Sequence, residues 1–428
     1  MFPAMDRNSK FWKASLLAVV AAVGAWCAPA AARADEIPEL EEPILQTGLF
    51  RNVWSRVSDA GEYCSETFSE VTGCPELCPT GWCEDLGDPW TLDSYFDDDC
   101  CGRWLPFSIG GWVSSGYHSR SDGVFNTVPD NYNFHQAWLY AEKLADGSDG
   151  LDWGFRADVL YGIDGENTQA YGNNPGRWDF ANGFDHGVYH WALPQAYVEL
   201  EYDNINVKGG HFFTPLGYEV VQAPGNFFYS HAFTHNFSEP FTHTGMLTTI
   251  EASDSLTIYS GWTLGWDTGF DRFHNGFNYI GGLTYAINDN VSATYLTTYG
   301  NLGWIGKGYS HSIVVNMQWT DRLESVLSSD LVRTQGDLFG GNTYHTLSFV
   351  NYTFYTVNDC LKLGTRSEWW KAQGVSYNTF TFGANIKPHA NITIRPEIRY
   401  QLNRSEVNNP IGLPVDLGIF GIDSVITF

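Results

Sequence analysis

The chain has 428 residues, with 23 Lys and Arg against 49 Asp and Glu, so its formal charge is −26. Its 16 % aromatic content excludes a disordered chain. The acidic excess excludes nucleic acid as a partner, which needs a basic footprint.

Residues 1–34 read as a signal peptide. Arg7, Lys10 and Lys13 form a positive n-region, Ser15 to Trp26 a short apolar run, and Ala32-Arg33-Ala34 a cleavage site that leaves Asp35 first. The run is too short for a transmembrane anchor. Trp26 stands before Cys27 where a lipoprotein signal needs a small residue. The mature chain keeps 19 basic and 48 acidic residues, a charge of −29.

Residues 35–104 form an acidic, cysteine-rich segment with 17 Asp and Glu against three Arg. Cys64, Cys74, Cys78, Cys83, Cys100 and Cys101 lie here, and an exported chain meets an oxidising compartment, so these six are disulfide candidates. Their spacing lacks the paired C-x2-4-C of a zinc site. Connectivity is open, and Cys360 makes the mature count odd, so one of the seven thiols is free or pairs between chains.

From residue 105 to 428 a period of two takes over. In 151–162, Leu151, Trp153, Phe155, Ala157, Val159 and Tyr161 alternate with Asp152, Gly154, Arg156, Asp158 and Gly162. Alternation of this kind is a strand with one apolar face. Strands are expected near 106–117, 133–143, 151–162, 191–202, 205–213, 241–251, 255–266, 278–287, 291–300, 308–319, 323–333, 343–354, 360–370, 376–387, 391–401 and 417–428. These are about sixteen segments of the length a tilted strand needs to cross a bilayer. The connections alternate short, as at Asp203-Asn204 and Asn288–Asn290, and long, as at 163–190 and 214–240. That rhythm predicts an all-β fold, a transmembrane antiparallel up-and-down β-barrel of about sixteen strands. An even strand number puts both chain ends, and the cysteine-rich segment, on the periplasmic side.

Two further patterns separate a barrel in lipid from a soluble sandwich. The polar face is rich in Gly, Ser, Thr and Asn, and aromatics gather near strand ends at Tyr161, Trp191, Trp266, Trp304, Trp319, Trp369 and Trp370, as rings at the headgroup level do. The chain ends in an alternating strand closed by Phe428, a signal for the outer-membrane barrel-assembly machinery.

The strings HQAWLYAEK (135–143), GFRADVLYG (154–162), PQAYVEL (194–200) and GGHFFTPLGYEVVQAPGNFFYSHAFTHNFSEPFTHTG (209–245) resemble the porin-2, OmpL-like β-barrel family in a form abundant in planctomycete-type bacteria. The resemblance covers most of 105–428 and not the cysteine-rich segment. It implies an outer-membrane barrel with a porin role, and it supplies no enzymatic residues.

The residues agree with that. No G-x-S-x-G, H-E-x-x-H or Walker motif is present, so no catalytic residues, metal or cofactor are assigned. His231, His235 and His243 near Glu239, and the pair His186 and His190, sit in loops and read as hydrogen-bonding residues. The functional candidate is loop 214–240. Its Tyr218, Glu219, Phe228, Tyr229, His231 and Glu239 narrow the pore if the loop folds inward, and form a packed extracellular loop if it does not. Arg156, Asp158, Glu199, Glu201, Lys208, Lys362, Arg366, Glu368, Arg395, Glu397 and Arg399 are expected to face the lumen, with bases gathering on later strands and acids on earlier ones, the arrangement for a transverse field. The expected function is passive diffusion of small hydrophilic solutes or ions, in outer-membrane lipid, with homotrimers common for barrels of this strand count. The alternative is a structural protein cross-linked through its cysteine-rich segment.

Overall fold

The computed structural model describes residues 86–98, 102–103, 105–121, 123–335, 343–403 and 417–428. The expected signal peptide and the six disulfide candidates Cys64, Cys74, Cys78, Cys83, Cys100 and Cys101 lie outside the described residues. Cys360, buried at a turn, is disulfide-bonded, so it is not the free thiol that its odd count allowed.

Alternating segments throughout the chain become sixteen strands. They are β1 (Ser108–His118), β2 (Tyr132–Lys143), β3 (Asp152–Gly162), β4 (His190–Tyr202), β5 (Ile205–Phe213), β6 (Thr242–Ser253), β7 (Leu256–Thr263) and β8 (Phe277–Asn288). There follow β9 (Val291–Asn301), β10 (Lys307–Gln318), β11 (Leu323–Gln335), β12 (Thr343–Asn358), β13 (Leu361–Ala372), β14 (Val375–His389), β15 (Ile392–Asn403) and β16 (Leu417–Thr427). Each pairs antiparallel with the next, and β16 returns to β1 through Thr427 opposite Trp112 and Gly421 opposite His118. Closure pairs each strand on both sides and leaves no edge, the condition for strands in hydrocarbon. Phe428 extends the seam, exchanging two 2.9 Å backbone hydrogen bonds with Gly111.

Short turns occupy one rim. On the other rim, among the described residues, 119–131, 163–189, 214–241 and 264–276 are long, 302–306 is of five residues, and one connection is tighter still. β13 and β14 are joined by Gln373-Gly374 alone, with φ of +50° and +87°. Two left-handed residues are what a tight hairpin needs to match strand twist. At the short-turn rim, the segment before β1 is fastened by Asn391, which bonds to the N–H and C=O of Trp90, and by Asp93, which accepts from Ile109 N–H.

Parity sets the outer wall. Trp153, Phe349, Phe380, Phe382, Ile398, Tyr400, Leu402 and Phe420 stand exposed on it. Three girdle assignments are corrected. Trp266 lies beyond the end of β7, where alternation no longer sets its direction, and its indole N–H donates inward to Thr298 Oγ1 at 3.1 Å. Trp304 sits in the turn after β9 with its N–H on Asp267. Trp369 and Trp370 are adjacent, so a strand cannot send both to lipid. Trp369 stacks outside on Phe349, and Trp370 is fully buried inside.

Candidate functional site: a loop folded into the barrel

The connection 214–241 leaves β5 and returns to β6, its base closed by the Thr214 N–H on the Phe241 carbonyl. Between these points it turns into the barrel and reaches β13, eight strands around a ring of sixteen and therefore the opposite wall. It includes a short helix, α1 (Phe233–Ser238).

Three arginines of the far wall hold it by its main chain. Arg395 on β15 donates to the carbonyls of Ala223 (2.7 Å), Asn226 (2.8 Å) and Phe228 (3.3 Å), and is oriented by Asp423 on β16 through two further bonds. Arg366 on β13 donates to the Ser230 carbonyl at 2.6 Å and to Ser230 Oγ at 2.9 Å. Arg399 on β15 donates to the His231 carbonyl. Two wall carboxylates take the loop's amides. Glu397 accepts from the N–H groups of Tyr229 and Ser230. Glu368 accepts from Phe233 N–H (3.0 Å) and Thr234 N–H (2.7 Å). α1 has Ala232 at its N-cap, which offers no side-chain acceptor, so the wall supplies the anion that the helix start requires.

Glu219 is the loop's own anchor. It accepts from Arg366 Nη1 at 2.7 Å, Tyr352 OH at 3.0 Å and Ala232 N–H at 2.8 Å, with His231 Nδ1 at 3.2 Å. Burial opposes ionisation, but the Arg366 charge and the His231 bond win and hold this carboxyl below the usual range. His231 and His235 stack at 4.6 Å, and burial holds both imidazoles below their ordinary pKa, His235 at about 4. Glu239 lies 3.2 Å from His235 Nδ1, and burial beside Glu219 and Glu368 pushes its carboxyl up.

Apolar contacts complete the fit. Tyr218, Phe227 and Phe228 pack on Val314, Val326, Val350, Tyr352 and Phe354, and Phe233 packs on Trp370 and Tyr377. The wall is recessed beneath the rings. A Cβ at Gly364 would lie 2.4 Å from Phe227, at Gly383 3.2 Å from Phe228, and at Gly421 3.0 Å from Tyr229. On the near side, Gln136 on β2 bonds to Val221 C=O and Ala223 N–H, and His135 Nε2 lies 2.5 Å from Tyr229 OH with Asp164 behind it.

The eleven wall charges are distributed differently. Arg366, Glu368, Arg395, Glu397 and Arg399 lie beneath the loop and are bound to it, each under 5 % exposed. The other six lie toward the short-turn rim. Arg156 joins Asp158 (2.6 Å) and Glu142 (2.5 Å) and covers the Tyr140 ring, while Lys208 covers Tyr197. Asn206 donates to Glu199 and Glu201, and Lys362 pairs with Glu324. Acids and bases are neighbours rather than opposite walls, so the expected transverse separation of charge is replaced by local pairs. His243 and His190 sit in hydrogen-bonded settings, beside Thr214 and Gly265 C=O and beside Asp185 respectively, and His186 joins Tyr189 through its backbone.

Sequence reading missed Gln136, His135, Tyr352, Asp423 and the three glycine recesses. Only the glycines left a trace, as residues of no bulk on the inward parity of β13, β14 and β16.

The family described as "Putative beta-barrel porin-2, OmpL-like" matches residues 106–428. No curated protein matches the chain in sequence. Among solved structures, the anion-selective porin from Comamonas acidovorans is similar with a TM-score of 0.52 at 10 % identity, over 75 % of this chain and 99 % of that one. The outer membrane channel DcaP of Acinetobacter baumannii is similar with a TM-score of 0.53 at 9 % identity, over 78 % of this chain and 99 % of that one. At such identities the likeness is one of fold.

Proposed function

Since the chain belongs to the porin-2, OmpL-like β-barrel family of bacterial outer membranes, we propose that it is a channel through which small hydrophilic solutes or ions diffuse passively, narrowed by loop 214–241. The observation that carries this reading is the loop's attachment across the lumen. It is bound to the wall opposite its root through Arg366, Arg395 and Arg399, while Glu142, Arg156, Glu324 and Lys362 nearer the short-turn rim keep part of their surface in water. Size exclusion at the loop and the paired charges below it would then select solutes. The short-turn rim, with the cysteine-rich segment, faces the periplasm in this reading, and Phe428 at the closing seam serves the assembly machinery.

A structural protein is the second reading. It is favoured by the extent of apolar packing between the loop and the wall around Phe228 and Phe233. Planar-bilayer recording of the purified protein separates the two. Discrete conductance steps, enlarged when residues 219–238 are replaced by a short Gly-Ser linker, support the channel. A protein that inserts and never conducts, even with the loop shortened, defeats it.

A further inference from the structure

The lumen wall carries carboxylates that its own bases do not offset. Near the short-turn rim, parity turns Glu142, Arg156, Asp158, Glu199, Glu201 and Lys208 inward. Both bases are taken up. Arg156 lies between Asp158 and Glu142, and Lys208 Nζ stands 4.2 Å over the Tyr197 ring. The hydrogen bonds to Glu199 and Glu201 come from neutral donors. One nitrogen, Asn206 Nδ2, donates to both, at 3.4 and 3.0 Å, and Ala145 N–H lies 3.3 Å from Glu199 Oε1. Two like charges are thus held side by side, and they repel unless a counterion attends them. Glu251, exposed at the same rim, extends the row. Across the mouth, Lys362 pairs with Glu324 and leaves Lys387 as one further base at the rim.

The same sign persists at the level of the loop. Arg366 and Arg395 are matched by Glu219 and Asp423, and Arg399 is bound to the His231 carbonyl. Asp330 on β11 has no such match. It is 1 % exposed, and its Oδ1 has no hydrogen-bond partner among the described residues. Ser312 faces it in register, and Ser312 Oγ accepts from Gly217 N–H at 3.1 Å. Gly217 in turn abuts the Glu239 carboxyl, which lies close enough to Asp330 to repel it. A buried carboxylate oxygen without a donor, near a second carboxyl, suits a cation and disfavours an anion.

We propose that the lumen passes cations in preference to anions, an inference that rests on the channel reading above. Glu199 and Glu201 set the preference at the short-turn mouth, and Asp330 sustains it beside the loop. A mouth lined by one sign of charge concentrates the opposite ion and depletes the like one. The local pairs around Arg156 and Lys362 add no field of their own, so the unmatched carboxylates decide the sign.

The test is the reversal potential in planar bilayers under a KCl gradient, for wild type, Glu199→Gln/Glu201→Gln and Asp330→Asn. Each is also made in the chain whose residues 219–238 are replaced by the Gly-Ser linker. That chain keeps all three carboxylates, so it reads the sign of selectivity even where the intact loop holds conductance below detection. K+ should pass over Cl− by several-fold at about 0.1 M salt, where charges are screened over about 10 Å, and by less at about 1 M, where they are screened over about 3 Å. The double variant should lower that ratio roughly twofold or more, and Asp330→Asn by less. An unchanged heat-induced gel shift separates lost selectivity from misfolding. Anion preference, a ratio of one, or a cation preference indifferent to the double variant overturns the proposal and leaves the channel standing. Absence of conductance in both wild type and the linker chain overturns the two together.

Discussion

Arg366→Met tests whether the loop is held by charge. The substitution keeps an apolar stem in the wall and removes the guanidinium that binds Glu219 at 2.7 Å and Ser230 at 2.6 and 2.9 Å. Glu219 is only 7 % exposed and keeps only Tyr352, Ala232 and His231 as partners. Removing one partner of a buried pair costs about 3–5 kcal/mol, because a charge remains without its counterion. That shifts the balance between docked and released loop by roughly two to three and a half powers of ten. Glu219→Gln in the same chain removes the stranded charge, so the double variant should recover a large part of the loss. Two readouts apply. Loop 214–241 contains no Lys or Arg but does contain Phe227, Phe228 and Tyr229, so chymotrypsin reports its release. Single-channel conductance reports the opening that results. The single variant should be cleaved within the loop and conduct more than wild type, with the double variant between them. Equal protease resistance and conductance in wild type and Arg366→Met would refute the reasoning.

Other expectations are as direct. His235 has a pKa of about 4 because burial disfavours its charge, against an ordinary 6.5. Docking strength from this group is therefore complete above pH 6.5 and is lost as pH falls toward 4, by up to about 3 kcal/mol. Glu239, pushed up by burial, acts in the opposite sense, so the comparison is between wild type and His235→Gln, with the variant's conductance rising less on acidification; identical pH profiles would discount His235. Gly217 has φ +89°, and a Cβ there would meet Glu239 Oε2 at 2.1 Å. Gly217→Ala should weaken docking by more than about 1 kcal/mol, seen as faster chymotrypsin cleavage. Deleting Phe428 removes both backbone bonds to Gly111 and the proposed assembly signal. Cells should then carry less folded barrel by heat-shift gel, and undiminished assembly would leave Phe428 without that role.

The strands were legible because each has one face toward lipid, which imposes strict alternation on sequences such as 151–162. The 214–241 loop stood out by its length and by its mix of rings and carboxylates. Its attachments did not. Arg366, Arg395 and Arg399 occupy inward positions that look the same in sequence whether water or a carbonyl lies in front of them. Their partners are main-chain oxygens, which every residue carries and no pattern marks. Trp370 shows the same limit, since a doublet of tryptophans cannot say which member faces outward. That the cation partners of Asp158 and Glu324 lie close by, and not across the barrel, also depends on rotamers that alternation does not encode.

The attachment of the loop also orders events in time. Ser230 and Ala223 meet Arg366 and Arg395 lying 136 and 172 residues further along the chain. The seats at Gly364, Gly383 and Gly421 are likewise in the last four strands. Contacts so distant in sequence form late. A growing barrel must thus present β13 to β16 before the loop has its full set of contacts, so the narrowing of the lumen depends on the last quarter of the ring.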